Sequence, residues 1–211
     1  MATKISIINR ALRRIGAGRI ESVDDDDEKA RAAKDVWDDV REDLLCRFPW
    51  HFALKTAGPL AQLSTTDPRW LYSFSLPADC LKPIRIIADG METDDDGNVT
   101  YGTFSSTFPD VKYDITGTTL SCDLEEPVLH YIYDLTDPTK FSPNFAAAFS
   151  LAMAVELGYS FSTQSSRMRD LNSEFLSRLR TAMADSGNTQ KRDDRAVGQS
   201  FINARRNDVP S

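Results

Sequence analysis

Apolar positions change their spacing twice along this chain. Ile5, Ile8, Leu12 and Ile15 recur at steps of three and four, which predicts a first amphipathic helix. Thr3 stands where an N-cap is needed, and Gly16 and Gly18 stand where the helix must stop. Ser22 and Asp25 have the spacing of a capping box, with Asp in place of the usual Glu. The acidic run Asp24, Asp25, Asp26, Asp27 and Glu28 then suits the positive end of a second helix. That helix is expected to reach Arg47, with Ala33, Val36, Trp37, Val40 and Leu44 on one side, and to be stopped by Pro49.

The period then shortens to two. Pro59, Pro68, Pro77, Pro83, Pro109 and Pro127 punctuate short runs of β type: Ile84–Ile87, Val99–Phe104, Val111–Ile115 and Val128–Tyr133. The last run alternates, with Val128, His130 and Ile132 on one side and Leu129, Tyr131 and Tyr133 on the other. Asp95-Asp96-Gly97-Asn98 and Thr116-Gly117-Thr118 read as hairpin turns. Helical spacing returns after Ser142-Pro143, a cap followed by proline at the first helical position. Phe145–Tyr159 is apolar nearly all round with Glu156 its single charge, so it is expected to be buried on most sides, within the subunit or between subunits. After a break at residues 160–166, Met168, Leu171, Phe175, Leu179 and Met183 form an amphipathic stripe that Gly187 is expected to end.

The expected fold is therefore α+β and mainly α. Two helices in residues 1–57 pack with two in residues 141–187 as a helical bundle, a small antiparallel β-rich part is inserted at 58–140, and 188–211 is an extended C-terminal tail. The tail is polar and unperiodic, the composition of a segment that orders only on a partner. Arg192, Arg195, Phe201, Ile202, Arg205 and Arg206 are its candidate anchors.

Charge sharpens this division. The 211 residues carry a net charge of −7. The segment balances are 0 for residues 1–57, −9 for 58–140, 0 for 141–187 and +2 for the tail, so the acidic excess sits in the β-rich part. A net acidic chain is a poor free duplex binder, since phosphate contacts require Lys and Arg. No apolar run approaches the roughly 18–20 residues of a membrane span, and no signal-peptide apolar region opens the chain. Cys46, Cys80 and Cys122 are odd in number and far apart, which fits thiols in a reducing compartment rather than a disulfide framework or a metal site.

Catalytic chemistry finds little purchase. His51 reads as a packed residue at a helix end and His130 as a strand residue, neither with a local triad or metal partner. Ile15-Gly16-Ala17-Gly18 follows a helix, whereas a dinucleotide fingerprint follows a strand. Glu92, Asp94, Asp96 and Gly97 are similar to the opening of a calcium loop, but Thr103 occupies the twelfth position where Glu is required. No catalytic residue, metal ligand or cofactor is assigned. The strongest basic signal is the group Arg10, Arg13 and Arg14, one side of the first helix opposite its apolar stripe, with Arg19 nearby. These three arginines, with Phe149 and Met153 of the apolar helix, are the candidate subunit-interface residues.

One ordered set of segments is more specific. Ala11-Leu12-Arg13-Arg14-Ile15-Gly16 precedes the acidic helix start, and that helix ends in Leu44-Leu45-Cys46-Arg47-Phe48-Pro49-Trp50-His51-Phe52-Ala53. Tyr72-Ser73-Phe74-Ser75-Leu76-Pro77-Ala78-Asp79-Cys80-Leu81-Lys82-Pro83 follows, then Tyr131-Ile132-Tyr133-Asp134-Leu135-Thr136-Asp137-Pro138, then Phe141-Ser142-Pro143-Asn144-Phe145 and a helix of small residues. Over residues 3–187 this order resembles the tail tubular protein A and head-to-tail adaptor family of tailed bacteriophages. The resemblance implies a structural virion protein and no enzyme. It implies a ring, generally dodecameric, that joins the portal protein to the tail tube or nozzle and lets DNA pass through its centre without sequence-specific binding or any membrane. The other readings that the residues leave open are a virion-associated glycan hydrolase with paired carboxylates in the β-rich part, and a generic helical scaffold for an acidic partner.

Overall fold

The computed structural model describes residues 2–65, 67–88, 91–93, 99–101, 111–161 and 164–206. It holds four helices and small antiparallel sheets, with about half the chain helical, an α+β composition. The chain divides into two compact units, residues 1–52 with 135–211, and residues 53–134. The divisions fall at 52/53 and 134/135 rather than after 57 and 140, because Leu54–Ala57 pairs as a strand with Tyr131, Ile132 and their neighbours.

The helical unit begins with α1, Lys4–Ile15. Thr3 Oγ1 accepts the Ser6 N–H at 3.2 Å and Ser6 Oγ accepts the Thr3 N–H at 2.9 Å, a reciprocal capping box. Gly16, at φ 79°, adopts the left-handed conformation that lets its N–H turn back to Arg13 O. Ile7, Ile8, Ala11 and Leu12 are buried. Asn9 then ties down the following loop: its Nδ2 donates to Ile20 O at 2.9 Å and its Oδ1 accepts the Ile20 N–H at 2.8 Å.

The second helix, α2, spans Glu28–Arg47. Its N-cap is Asp27, not Ser22. Asp25 Oδ2 accepts the Glu21 and Ser22 N–H groups at 3.0 and 2.8 Å, so the Ser22–Asp25 pair closes a tight loop before the helix instead of opening it. Phe48 is extended, as the residue before a proline prefers, and the helix stops there.

The third helix, α3, spans Pro143–Ser160, with Ser142 Oγ accepting the Phe145 N–H. It packs against α1, α2 and the last helix. Phe145, Ala148, Phe149, Met153, Ala154 and Leu157 are fully buried, which is why its sequence shows almost no polar face. The last helix, α4, spans Ser165–Arg206, about 60 Å at 1.5 Å per residue. Gly187 does not end it, and residues 188–206 are helix rather than extended chain. Among the described residues the glycines at positive φ are Gly16 and Gly117, and Gly187 is not one of them. A glycine that keeps helical angles weakens a helix by about 1 kcal/mol relative to alanine without breaking it. Gln190, Lys191, Arg192, Arg195 and Ala196 beyond it favour helix, and proline returns only at Pro210.

The second unit holds two sheets and a short ladder. Strands β1 (Leu54–Ala57), β9 (Pro127–Tyr133) and β4 (Cys80–Ala88) form one antiparallel sheet in the order β1-β9-β4. Strands β2 (Gln62–Leu63), β3 (Tyr72–Ser75), β8 (Thr119–Cys122) and β7 (Tyr113–Thr116) form the other, in the order β2-β3-β8-β7. The ladder pairs β5 (Met91–Thr93) with β6 (Val99–Tyr101), and the Asp95–Asn98 turn between them lies outside the described residues, as does Phe104. Thr116 pairs with Thr119 across Gly117-Thr118, with Gly117 at φ 60°, the two-residue hairpin its sequence suggests. Phe74, Ile86, Leu120, Cys122, Leu129 and Tyr131 form the core of this unit. β4 slips register at Cys80/Lys82 and at Pro83/Arg85, where Pro83 has no N–H to give the ladder.

Candidate functional site

One end of the helical unit gathers functional groups from three helices. Ile15 of α1, Gly158 of α3 and Met168 of α4 meet there: a Cβ on Gly158 would lie 3.6 Å from Ile15 Cγ2 and would overlap Met168 Sδ. Glycine lets these helix ends approach with the Met168 thioether lying against the α3 backbone. Arg167 Nε donates to Arg14 O at 2.9 Å and so holds the C-terminal end of α1 to the start of α4. The Arg14 guanidinium reaches Glu174 at 2.9 Å. Arg13 and Arg167 are exposed at this end, and Tyr159 is 72% exposed beside Gly158. Arg10 and Arg19 are also exposed. Arg10, Arg13 and Arg19 form no ion pair with any described residue.

The interface expectation thus divides. Arg10 and Arg13 stand free on the surface, whereas Arg14 is partly neutralised within the chain. Phe149 and Met153 are wholly inside the helical unit, and Phe149 lies 4.7 Å from the Trp37 ring. Neither can meet a neighbouring copy. The apolar circumference of α3 is satisfied by α1, α2 and α4 of the same chain. Of the six tail residues, Arg192, Arg195, Phe201, Ile202, Arg205 and Arg206, the backbone belongs to α4, and their side chains lie outside the described residues.

The outward face of α2 is acidic. Glu28, Asp35, Asp39 and Glu42 are exposed at steps that return to one side of the helix, opposite Ala33, Trp37, Val40 and Leu44. Arg31 pairs with Asp26 at 3.3 Å, Lys34 with Asp24 at 2.8 Å and Arg47 with Asp43 at 2.7 Å. The acidic run before the helix therefore consumes the cations that would otherwise neutralise this face. Hydrogen bonds from Lys34 and Lys29 hold the Asp24 and Asp27 carboxyls below the ordinary carboxylate range. Glu28, Asp35 and Asp39 form no ion pair with any described residue. Arg41, by contrast, is buried at 2% exposure, with Asp38 Oδ1 at 3.1 Å and Glu42 Oε1 at 3.2 Å.

In the β-rich unit Lys55, Asp79, Tyr131 and Tyr133 form a fastened polar group. Lys55 Nζ lies 2.6 Å from Asp79 Oδ2 and 4.0 Å over the Tyr133 ring, and the Tyr131 hydroxyl donates to Asp79 Oδ1 at 2.9 Å. The Lys55 hydrogen bond holds the Asp79 carboxyl low. Burial, then the hydrogen bond to Asp79 and after it the Asp79 charge, pushes the Tyr131 phenol up to about 12. Both carboxylate oxygens are occupied and the phenol stays neutral, so the group clasps β1, β9 and the start of β4 rather than exchanging protons. A glycosidase acid would need a raised carboxyl. Among the described carboxyls with a displaced pKa, namely Asp24, Asp27, Asp67, Asp79 and Asp137, every displacement is downward.

The histidines and cysteines sit as follows. His51 follows the end of α2 and is exposed, but its ring packs edge-on to Phe52 at 5.6 Å, and its backbone N–H and ring Nδ1 both meet the buried Ser186 Oγ at 3.1 Å. His130 lies half-buried in β9, its ring pushed toward the neutral form chiefly by burial and then by Arg85. Cys122 is buried, Cys46 and Cys80 are half-buried, and no disulfide joins them. Among the described residues no three His, Cys, Asp or Glu side chains gather as metal ligands, and no helix is long and apolar enough to cross a membrane. The glutamate–aspartate loop at residues 92–97 lies largely outside the described residues. Sequence reading missed Arg167 and Tyr159, because what brings them to the end of α1, the Arg14 carbonyl for one and the close approach of Gly158 to Ile15 and Met168 for the other, lies across helices. In comparison with known proteins, no family model and no curated protein matches this chain.

Proposed function

We propose that this protein is a structural head-to-tail adaptor of a tailed bacteriophage. In this reading its four helices act as one bundle carrying the β-rich part as an insertion. Copies form a ring, a dodecamer by the resemblance, between the portal protein and the tail tube or nozzle of the virion, and DNA passes through the centre. The observation that carries the reading is the ordered set of resembling segments, because these segments do structural work at the turns of the chain. Thr3–Gly16 is a capped helix, Leu44–Ala53 leaves α2 for β1, Tyr72–Pro83 joins β3 to β4, and Tyr131–Pro138 leads from β9 back to the helices.

The electrostatics agree with a conduit. A net acidic protein repels phosphate and lets a duplex slide, whereas a basic lumen would hold it. The −9 of residues 58–140 is the natural candidate for such a wall. The segment 188–211, at +2, with Arg192, Arg195, Phe201, Ile202, Arg205 and Arg206, is the candidate contact to the portal.

Mass photometry and negative-stain imaging of the full chain, alone and with its cognate portal protein, test the reading. The expected result is a ring, or a defined number of copies added to the portal. A chain that stays monomeric and ignores the portal overturns it. In the same assay, removing residues 188–211 should abolish portal binding while circular dichroism still reports folded helices.

A further inference from the structure

We infer that the basic end of the helical unit, Arg13, Arg167 and Tyr159, docks on the acidic outward face of α2, Glu28, Asp35 and Asp39, of a second copy of this chain. This inference rests on the ring reading above and names the contact by which one copy would hold the next.

The basic end is a composite. Arg13 and Arg167 are more than a hundred and fifty residues apart in sequence, yet the Arg167–Arg14 hydrogen bond brings their helices together, and Gly158 lets α3 deliver Tyr159 to the same place. Arginine and tyrosine are both enriched at protein interfaces, since both supply large contact area and directional polar groups. Glu174 answers Arg14, but no described carboxylate answers Arg13. At the other face, Glu28, Asp35 and Asp39 run along one side of α2, with Arg31, Lys34 and Arg47 drawn off by Asp26, Asp24 and Asp43.

Each surface therefore lacks the charge that the other presents, and both belong to the same chain. The two patches are different, so the contact is heterologous. A heterologous contact repeated by rotation closes into a ring, whereas a self-complementary one would stop at a dimer. All six side chains are exposed, but Arg167 also donates to Arg14 O, so R13E alone, which leaves that bond in place, accompanies R13E/R167E and should weaken assembly in the same direction with the fold of one copy intact.

The test is a charge exchange in the full chain, read by mass photometry with and without portal protein. R13E/R167E and D35K/D39K should each lose the multimer, or the defined addition to the portal, while the circular dichroism spectrum matches the parent. An equimolar mixture of the two variants should regain it, because every contact in the mixture again joins opposite charges. The parent multimer should also shrink as ionic strength rises from about 0.1 M to about 1 M, because the Debye length falls from about 10 Å to about 3 Å over that range. Variants that assemble as the parent does, or a mixture that stays dispersed, overturn this contact and leave the ring reading standing. A parent that never assembles overturns both. Binding of a short duplex to the parent that R13E/R167E abolishes, with assembly unchanged, overturns the contact and assigns the basic end to nucleic acid.

Discussion

Trp50 offers the sharpest test of how the helical unit is held. Its side chain is fully buried, its ring centroid 4.9 Å from Phe145, 5.3 Å from Phe48 and 5.9 Å from Phe52. Its Nε1–H donates to Leu44 O at 2.8 Å. Leu44 lies in the last turn of α2, where carbonyls have lost their helical donors, so the indole satisfies an acceptor that would otherwise be buried alone. Trp50→Phe keeps an aromatic ring but removes the donor. An unsatisfied buried carbonyl costs about 1–3 kcal/mol. The smaller ring leaves a partly filled void worth roughly 1 kcal/mol more. The expected loss is about 2–4 kcal/mol, and since each kcal/mol moves the midpoint of a domain this size by about 2–4 °C, melting followed at 222 nm should fall by at least ~4 °C. Trp50→Ala should fall further, because the aromatic contacts go as well. A Trp50→Phe midpoint within a degree of the parent would refute the reasoning, since neither the hydrogen bond nor the ring volume would then matter. Equal losses in the two variants would put the whole effect on the hydrogen bond.

Three further outcomes follow from particular contacts. Asn9→Ala removes both bonds to the Ile20 backbone and should cost about 1–3 kcal/mol, with hydrogen-exchange protection lost at the Ile20 amide before the rest of the unit. Gly187→Ala should stabilise α4 by about 0.5–1 kcal/mol, since a Cβ there would sit at an ordinary 3.8 Å from Phe48 Cζ, whereas Gly16→Ala should destabilise by roughly 1–2 kcal/mol because its φ of 79° disfavours any Cβ; thermal melts compare the two. The Tyr131 phenol is raised from 10.0 to about 12, so the stability its neutral form contributes is complete below pH 10 and is lost as pH rises through about 12, on the order of 1–3 kcal/mol. Tyr131→Phe should remove that part of the alkaline loss in urea titrations across this window.

The local elements were largely legible, because their causes are local. The Thr3 cap, the left-handed stop at Gly16, the Pro49 exit from α2 and the Ser142-Pro143 start of α3 each depend on residues within a turn of one another. Helical and strand periods separated the β-rich part from the helices, though short β1, β2 and β3 were missed for want of enough residues to show a period. Gly187 misled, since a glycine stops a helix only when the backbone takes positive φ, and composition cannot say whether it does. The Ser22–Asp25 pair misled in the same way: the side-chain bonds form, but in a loop.

The candidate site was legible only in part. Sequence alone determined that Arg10, Arg13 and Arg14 share a helix side and that the helix from Phe145 is buried on most sides, though not at its end, where Tyr159 is 72% exposed. It could not say by what α3 is buried, and the answer moved Phe149 and Met153 from an expected surface to the interior. Only the tertiary structure decided which charges remain free, because an ion pair such as Arg14–Glu174 or Lys34–Asp24 depends on distances between chain segments that no local pattern encodes. For the same reason only the fold could bring Arg167 and Tyr159 to the end of α1, where the free charge of Arg13 becomes a surface rather than a single residue.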